Sequence, residues 1–202
     1  MVERPFSEGA EAVVLKEKFM GVDSVLKKRN PKCYRIKQLD TQLRLRRTRS
    51  EARIMLKLLR GGVRVPRLLS AGRYTIRMEL IDGTKLSDMQ KSGGIPVSAL
   101  RKSAAELAKM HDLGIAHGDF TPANIFVSGQ DVFIIDFGLS SSNAIAEEKA
   151  IDILLMKRSI KPEEFQEFLS SYKPSGRSAI ISKLAAIERM GRYQSRTMDS
   201  KA

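Results

Sequence analysis

Asp119, Asn124 and Asp136 are spaced so that three oxygen-bearing side chains can converge on one metal–phosphate group. They lie in the stretch 117–138, HGDFTPANIFVSGQDVFIIDFG, with Asn124 five residues after Asp119 and Asp136 seventeen after it. An Asp, an Asn and a second Asp suit a magnesium-bound triphosphate. The first carboxylate orients a hydroxyl or a water, and the other two side chains, Asn124 and Asp136, supply oxygen ligands for the metal. An Asp-Phe-Gly triplet alone arises by chance in many loops; its combination with Asp119 and Asn124 is far more specific.

The residues between them explain how they are brought together. Ile125, Phe126 and Val127 form a short apolar run, 128–131 (Ser-Gly-Gln-Asp) reads as a turn, and Val132 to Ile135 form a second run. The pattern predicts a tight β-hairpin whose two ends deliver Asn124 and Asp136 to one edge.

A triphosphate site also needs a cation on the phosphates. Lys27 in the strand-like Val25-Leu26-Lys27 has a fixed reach, and Glu51, twenty-four residues on, is placed to pair with it and hold it. A phosphate-covering segment is expected at 7–12 (Ser-Glu-Gly-Ala-Glu-Ala), where the backbone at Gly9 and Ala10 approaches the phosphates, although it carries a single glycine. Met78-Glu79-Leu80-Ile81 reads as a hinge in which backbone groups of Glu79 and Ile81 meet the edge of an adenine, with Met78 at the back of the pocket. His117 is expected to brace the Asp119 loop and His111 to be a satisfied residue near a helix end.

The supporting elements fall into two groups. Short strands are expected at 12–19 and 24–28 around a Gly21-Val22-Asp23 turn, then a helix from about Asp40, as N-cap, to Arg60, stopped by Gly61-Gly62. The segment 70–81 alternates as one strand broken by Asp82-Gly83. Beyond it, helical periodicity covers 96–113, 147–160 with Ile151, Leu154 and Leu155 as its apolar stripe, a helix opened by Pro162, and 175–190. The fold class is α+β: a small β-rich lobe with one main helix, then a helical lobe carrying the hairpin.

Composition narrows the class. The chain has 202 residues, 42% hydrophobic and 29% charged, enough for a substantial core and too apolar for wholesale disorder. One cysteine, Cys33, excludes an internal disulfide and points to a reducing compartment. No apolar run approaches the roughly 20 residues of a membrane span, and the N-terminal residues lack a signal-peptide core, so a cytoplasmic protein with no membrane partner is expected. The formal net charge of +13 favours a polyanionic partner. Ten Lys and Arg against one acid, Asp40, fall between Lys27 and Arg49, and the C-terminal tail adds Arg189, Arg192, Arg196 and Lys201.

The Asp119 loop resembles the H-R-D-x-x-x-x-N and D-F-G segments of protein kinases, with Gly118 in place of the Arg. More closely, the chain resembles the PRPK-type small atypical kinases, the kinase-like subunit of the KEOPS (EKC) complex that makes threonylcarbamoyladenosine in tRNA. Gly9-Ala10-Glu11-Ala12 matches that family's G-A-E-A loop, and 27–35 resembles its K-x-R-x-x-K-x-Y-R block. Arg46-Arg47-Thr48 with Glu51-Ala52-Arg53 resembles its R-R-T-x-x-E-A-R helix, His117-Gly118-Asp119 with 135–140 (IDFGLS) its catalytic core, and 148–152 its E-D-K-A-V-D segment, whose Asp braces the catalytic loop. The tail, with Arg189, Gly191 and Arg192, departs from the family's R-G-R-K.

The resemblance implies a minimal bilobal protein-kinase-like fold, with residues 1–81 as the N-lobe and 82–202 as the C-lobe. It implies an ATP- and Mg²⁺-dependent ATPase or atypical Ser/Thr kinase, working with the complex's tRNA-modifying ATPase-fold subunit and its other subunits. Asp119, Lys27 and Glu51 would be its catalytic residues, Gly9, Ala10, Lys27, Glu79, Ile81, Asn124 and Asp136 its nucleotide-binding residues, and Asn124 and Asp136 its metal ligands. tRNA would be met through the basic N-lobe and the C-terminal tail. Only thirteen residues separate Gly138 from Asp152, which leaves no room for a long activation segment and suggests a site assembled without one. The other readings are a RIO-type or small-molecule phosphotransferase, from which the Asp-Phe-Gly triplet and the basic charge turn the reading away, and a tRNA-binding scaffold with little catalysis.

Overall fold

The computed structural model describes residues 7–8 and 12–199, with side chains described over 12–190. Gly9 and Ala10, and the side chains of Arg192, Arg196 and Lys201, lie outside the described residues.

Alternating apolar residues in β2 (Val13–Phe19) and β3 (Val22–Lys28) pair them as an antiparallel hairpin, with Val14 opposite Lys27 and Leu15 opposite Leu26. The loop between them is two residues, Met20 and Gly21, both at positive φ (51° and 81°), the backbone that matches the twist of the flanking strands. With β1 (Ser7–Glu8), β4 (Leu68–Ala71) and β5 (Thr75–Glu79) they form a five-stranded sheet ordered β1-β2-β3-β5-β4. The single strand expected over 70–81 is thus two. Gly72 and Arg73 turn the chain, and a Cβ on Gly72 would lie 2.5 Å from Thr75 Oγ1.

The main helix α1 (Lys37–Arg60) packs its Ile54, Met55 and Leu58 against this sheet and ends at Gly61, with Gly62 at φ 71°. Asp40 is not its N-cap. Three residues precede it in the helix, and its buried carboxylate instead accepts from Arg44 Nε at 2.7 Å and from the Lys32 backbone N–H at 3.2 Å. One bond from an arginine a turn further on and one from a backbone N–H before the helix outcompete capping.

The chain leaves the sheet through residues 80–83 and forms β6 (Thr84–Lys85) and a short helix, α2 (Leu86–Lys91), which the sequence reading lacked. α3 (Val97–Asp112) is the central helix of the second half, its Leu100, Ala104, Leu107 and Met110 fully buried. After β7 (Ile115–Ala116) comes the expected hairpin, β8 (Ile125–Ser128) and β9 (Asp131–Ile134), with β6 added outside β8. β10 (Ser141–Ser142) pairs back on β7.

Three further helices complete the fold: α4 (Ala146–Ser159), α5 (Pro162–Ser171) with Pro162 in its first turn, and α6 (Arg177–Asp199). In α4 the buried residues are Ala150, Asp152, Ile153, Leu154 and Met156, while Ile151, placed above in the apolar stripe, is exposed. Register in that helix is set by Asp152, whose carboxylate must reach the catalytic loop, and this rotates Ile151 outward. Among the described residues no helix is long and apolar enough to cross a membrane.

Candidate active site

Lys27 on β3 and Arg29, one residue past its end, lie two apart along the extended chain and point to the same side. Both reach the carboxylate of Glu51 on α1: Lys27 Nζ donates to Oε1 at 2.6 Å and Arg29 Nη2 to Oε2 at 2.6 Å. All three are buried, at 8%, 4% and 1% exposure, so these charges are worth far more to one another than a surface pair would be. Lys27 also donates to Asp136 Oδ1 at 2.7 Å. Two cations and two carboxylates balance. Burial opposes the Lys27 charge, but the carboxylates of Glu51 and Asp136 prevail and raise its pKa above the usual value. Asp136 is likewise pushed up by desolvation, yet Lys27 beside it brings its pKa below the ordinary range, so both remain ionised.

The hairpin positions the acidic side of the site. The Ile135 backbone N–H donates to the Asn124 carbonyl at 3.0 Å, which closes the ladder and sets Asn124 and Asp136 side by side. Asn124 ends a 3₁₀ turn (Pro122–Asn124), and its Nδ2 donates to both the backbone oxygen and Oδ2 of Asp119, each at 2.8 Å. Because both partners are acceptors, the amide nitrogen must face Asp119, leaving Oδ1 as the ligating end. Asp136 sits at φ 62°, a backbone that Asp tolerates, and accepts the Gly138 N–H at 3.1 Å.

Asp119 is held by a brace beneath it. Asp152 of α4 accepts the N–H groups of His117 at 2.7 Å and Gly118 at 2.8 Å. His111 reaches the same carboxylate through Nε2 at 3.1 Å and Tyr172 Oη through Nδ1 at 2.5 Å. His117 bridges to the Ile135 carbonyl at 3.0 Å and accepts the Asp119 N–H at 3.2 Å. Both histidines therefore have the bracing and satisfied roles expected of them.

Gly118 has its own reason to be glycine. Its φ is 81°, and a Cβ there would meet the Leu139 carbonyl oxygen at 2.4 Å. An Arg in that place would drive the loop off the segment following Asp136.

Between the sheet and the hairpin lies a cleft of about 360 Å³. Val14, Val25, Met78, Ile81 and Phe126 make apolar walls, and Lys27, Asn124 and Asp136 lie at its polar end. Its shape and chemistry suit a flat apolar base joined to a polyphosphate. Glu79 and Ile81 line the opposite end; the Glu79 N–H is taken by the Arg67 carbonyl at 3.0 Å and its side chain by Arg67, so a ligand could meet only its carbonyl. The structure thus brings Lys27, Glu51, Asp119, Asn124 and Asp136 together, and leaves Gly9 and Ala10 outside the described residues. Arg29 escaped the sequence reading as a site residue. Its signal was its position two residues beyond Lys27 on an alternating strand.

A small antiparallel sheet with one helix, a following helical lobe and a cleft between them define a protein-kinase-like protein. Two solved structures share this fold at a TM-score of 0.64. One is WaaP in complex with acyl carrier protein, 18% identical over 96% of this chain and 88% of that one. The other is the Rio2 kinase–ADP/Mg²⁺–phosphoaspartate complex from Chaetomium thermophilum, 19% identical over 93% of this chain and 70% of that one.

The RIO domain family model matches residues 14–161. The EKC/KEOPS complex subunit BUD32 of Encephalitozoon cuniculi is 33% identical over 189 residues, covering 92% of this chain and 93% of that protein. The probable serine/threonine-protein kinase BUD32 homolog of Archaeoglobus fulgidus is 36% identical over 179 residues, 85% of this chain and 89% of that one. The chain belongs to the RIO-domain family of atypical kinases and, within it, groups with the BUD32 proteins.

The KEOPS-subunit and RIO-type readings, set apart above, therefore coincide, and an Asp-Phe-Gly triplet does not separate them. The probable bifunctional tRNA threonylcarbamoyladenosine biosynthesis protein of Methanobrevibacter smithii is 34% identical over 199 residues, 93% of this chain; the chain spans 36% of that longer protein.

Proposed function

We propose that this chain is a Mg²⁺-dependent ATPase and atypical Ser/Thr kinase that serves threonylcarbamoyladenosine tRNA modification as a subunit of a KEOPS-type complex in the cytoplasm. The observation that carries the catalytic part is the buried Lys27–Glu51 pair joined to Asp136 at the polar end of an apolar cleft. The tRNA-modification setting rests on the BUD32 and bifunctional relatives.

The residues fit a magnesium nucleotide. Asn124 Oδ1 and the Asp136 carboxylate are hard oxygen donors, and a protein contribution of two suits an ion that takes its remaining ligands from phosphates and water. Gly138 keeps the floor open, since a Cβ there would sit 3.2 Å from Asp136 Oδ1 and 3.7 Å from Lys27 Nζ. The ion would neutralise charge on the phosphates.

The protein's own groups do the rest. Lys27 moves from Asp136 toward the phosphates, and Glu51 keeps it on line. The Asp119 carboxylate, fixed by Asn124, orients the attacking water or hydroxyl and accepts its hydrogen bond. The carbonyl of Glu79 and the backbone of Ile81 meet the adenine edge, and Gly9 with Ala10 would cover the phosphates. Positioning and electrostatics account for most catalysis in this reaction class, so Asp119→Ala should lower turnover by about 10²-fold or more while the melting temperature holds. ATP hydrolysis measured with and without tRNA and the partner subunit tests this. Turnover equal to the wild type in Asp119→Ala would sink the assignment.

A further inference from the structure

The outward face of α1 carries an unneutralised row of charge. Arg46, Arg49, Arg53 and Lys57 recur at steps of three or four, which puts them on one side of the helix over roughly 16 Å. All four are exposed, and among the described residues none makes an ion pair or a hydrogen bond. An ordinary solvated helix face interleaves acids with such residues. Here the helix's two acids, Asp40 and Glu51, are turned inward and consumed by Arg44, Lys27 and Arg29. Like charges at i,i+4, as in Arg49–Arg53–Lys57, repel by about 0.2–0.5 kcal/mol per pair. A bound polyanion relieves that cost.

The four cations line a groove of about 470 Å³ between α1 and β10, with Ser50 and Ser142 contributing hydroxyls from either side. Among the described residues no carboxylate lines it. Arg49 and Arg53 also line a second groove of about 590 Å³ on the other side of the helix, where Arg73 faces them. Among the described residues neither groove holds an aromatic, and Leu45, Ala52 and Ile54 are at least half-buried in the helix's own packing. A protein partner needs an apolar anchor pocket at the centre of its footprint. A phosphodiester backbone needs the opposite: spaced guanidinium groups, hydroxyl donors and no acid.

We infer that the exposed face of α1, centred on Arg49 and Arg53, is the track on which this protein binds the phosphate backbone of RNA. The inference deepens the tRNA part of the proposed function and rests on that reading for the identity of the polyanion. It also relocates the basic surface. Lys27, Arg29 and Arg44, the heart of the basic run in the sequence, are committed inside the protein, and the cations left to meet RNA lie further along the same helix.

The test uses the full chain and an unmodified tRNA transcript, with binding followed by fluorescence anisotropy across a salt series. Arg49→Gln/Arg53→Gln removes two track cations; Lys91→Gln/Lys161→Gln removes two exposed cations elsewhere, and melting curves check that both variants fold. The track variant should bind at least tenfold more weakly near 0.1 M salt, with the log–log salt slope reduced by about 1 for each lost contact, and the control should stay within about threefold of the wild type. Equal loss in track and control variants overturns the inference, as does a track variant with wild-type affinity and slope. Polyglutamate of matched charge that displaces the tRNA as well as unlabelled tRNA does would make this an acidic-protein site and overturn it too. A wild-type chain with no tRNA affinity would remove the tRNA reading itself, whereas binding that the track variant retains removes only the placement on α1.

Discussion

Arg29 and Glu51 meet at 2.6 Å inside the protein, Nη2 against Oε2, on the carboxylate whose other oxygen Lys27 holds at the same distance. Helix α1 is therefore tied to the sheet twice, by adjacent bonds from one strand face. In the proposed function, with Lys27 on the phosphates, Arg29 would keep Glu51 satisfied and the helix in place. A site with thirteen residues between Gly138 and Asp152 lacks the long segment that positions this helix in regulated kinases, and Arg29 supplies a constant substitute.

Replacing Arg29 by Met keeps much of its volume and removes the charge. Lys27 would remain on Glu51, so the cost falls short of a fully orphaned carboxylate; about 2–4 kcal/mol of stability should be lost. Lys27, now Glu51's sole cation, should be less free for the nucleotide, raising the KM for ATP more than it lowers kcat. Arg29→Lys should restore part of both. Denaturant unfolding and steady-state kinetics measure the two effects, and a Met variant with wild-type stability and KM would show that the Arg29–Glu51 bond does neither job.

Gly118→Ala tests the join between the catalytic loop and the Asp136 segment. An L-residue at φ 81° costs about 1–2 kcal/mol by itself, and the new Cβ would meet the Leu139 carbonyl oxygen at 2.4 Å, backbone that cannot swing away. The stability loss should exceed about 2 kcal/mol. Because Asp119 follows directly, kcat should fall further than ATP affinity does. Near-wild-type stability and kcat would mean the loop relaxes freely and the close approach is unimportant.

The hairpin and the Asp119–Asn124–Asp136 set could be read from sequence because each is local: turn residues and apolar alternation over 125–135 dictate a register that leaves Asn124 and Asp136 adjacent. Lys27 with Glu51 was readable because one strand and one long helix separate them. What escaped depends on side-chain partners that periodicity and capping rules do not reveal. Asp40 looks like a cap until Arg44 and the Lys32 backbone bind it. Ile151 fits an apolar stripe until Asp152 is required at the backbone of His117, thirty-five residues away. Arg29 looks like surface charge in a basic run, and only the fold buries it against Glu51. The basic composition pointed to a polyanion, but not to the face that meets it.

Asp152→Asn would test the brace. Asp152 accepts from His117 N, Gly118 N and His111, and an amide can serve only some of these, since its NH₂ end must face a donor. One buried N–H left unsatisfied costs about 1–3 kcal/mol. Stability should drop by that amount, and kcat should drop several-fold with the KM for ATP little changed, because the cleft walls are built elsewhere. Equal changes in kcat and KM, or none, would count against a specific bracing role.

His111 makes the brace sensitive to pH. Burial pushes its pKa below the usual 6.5, outweighing Asp152, which pulls it upward. Asp152, Lys149 and Asp112 act on His111, and Asp152, Asp112 and Arg177 on Tyr172. Tyr172 is held well above its ordinary pKa, first by burial, so its hydroxyl remains a donor to Nδ1 while Nε2–H donates to Asp152. The ring is therefore neutral in the folded state.

In the unfolded chain the same histidine takes a proton near pH 6.5. The unfolded state thus binds more protons below that pH, and stability contributed by the neutral ring, complete above it, is lost as pH falls toward the folded pKa. Asp136, depressed from 3.8, acts only in a more acidic window. Unfolding free energy should decline between pH 7.5 and 5.5 with a slope of at most about 1.4 kcal/mol per pH unit from this group. His111→Gln, which can still accept from Tyr172 and donate to Asp152, should flatten that slope. Denaturant melts at four or five pH values would decide it, and an undiminished slope in the variant would assign the titration to another group.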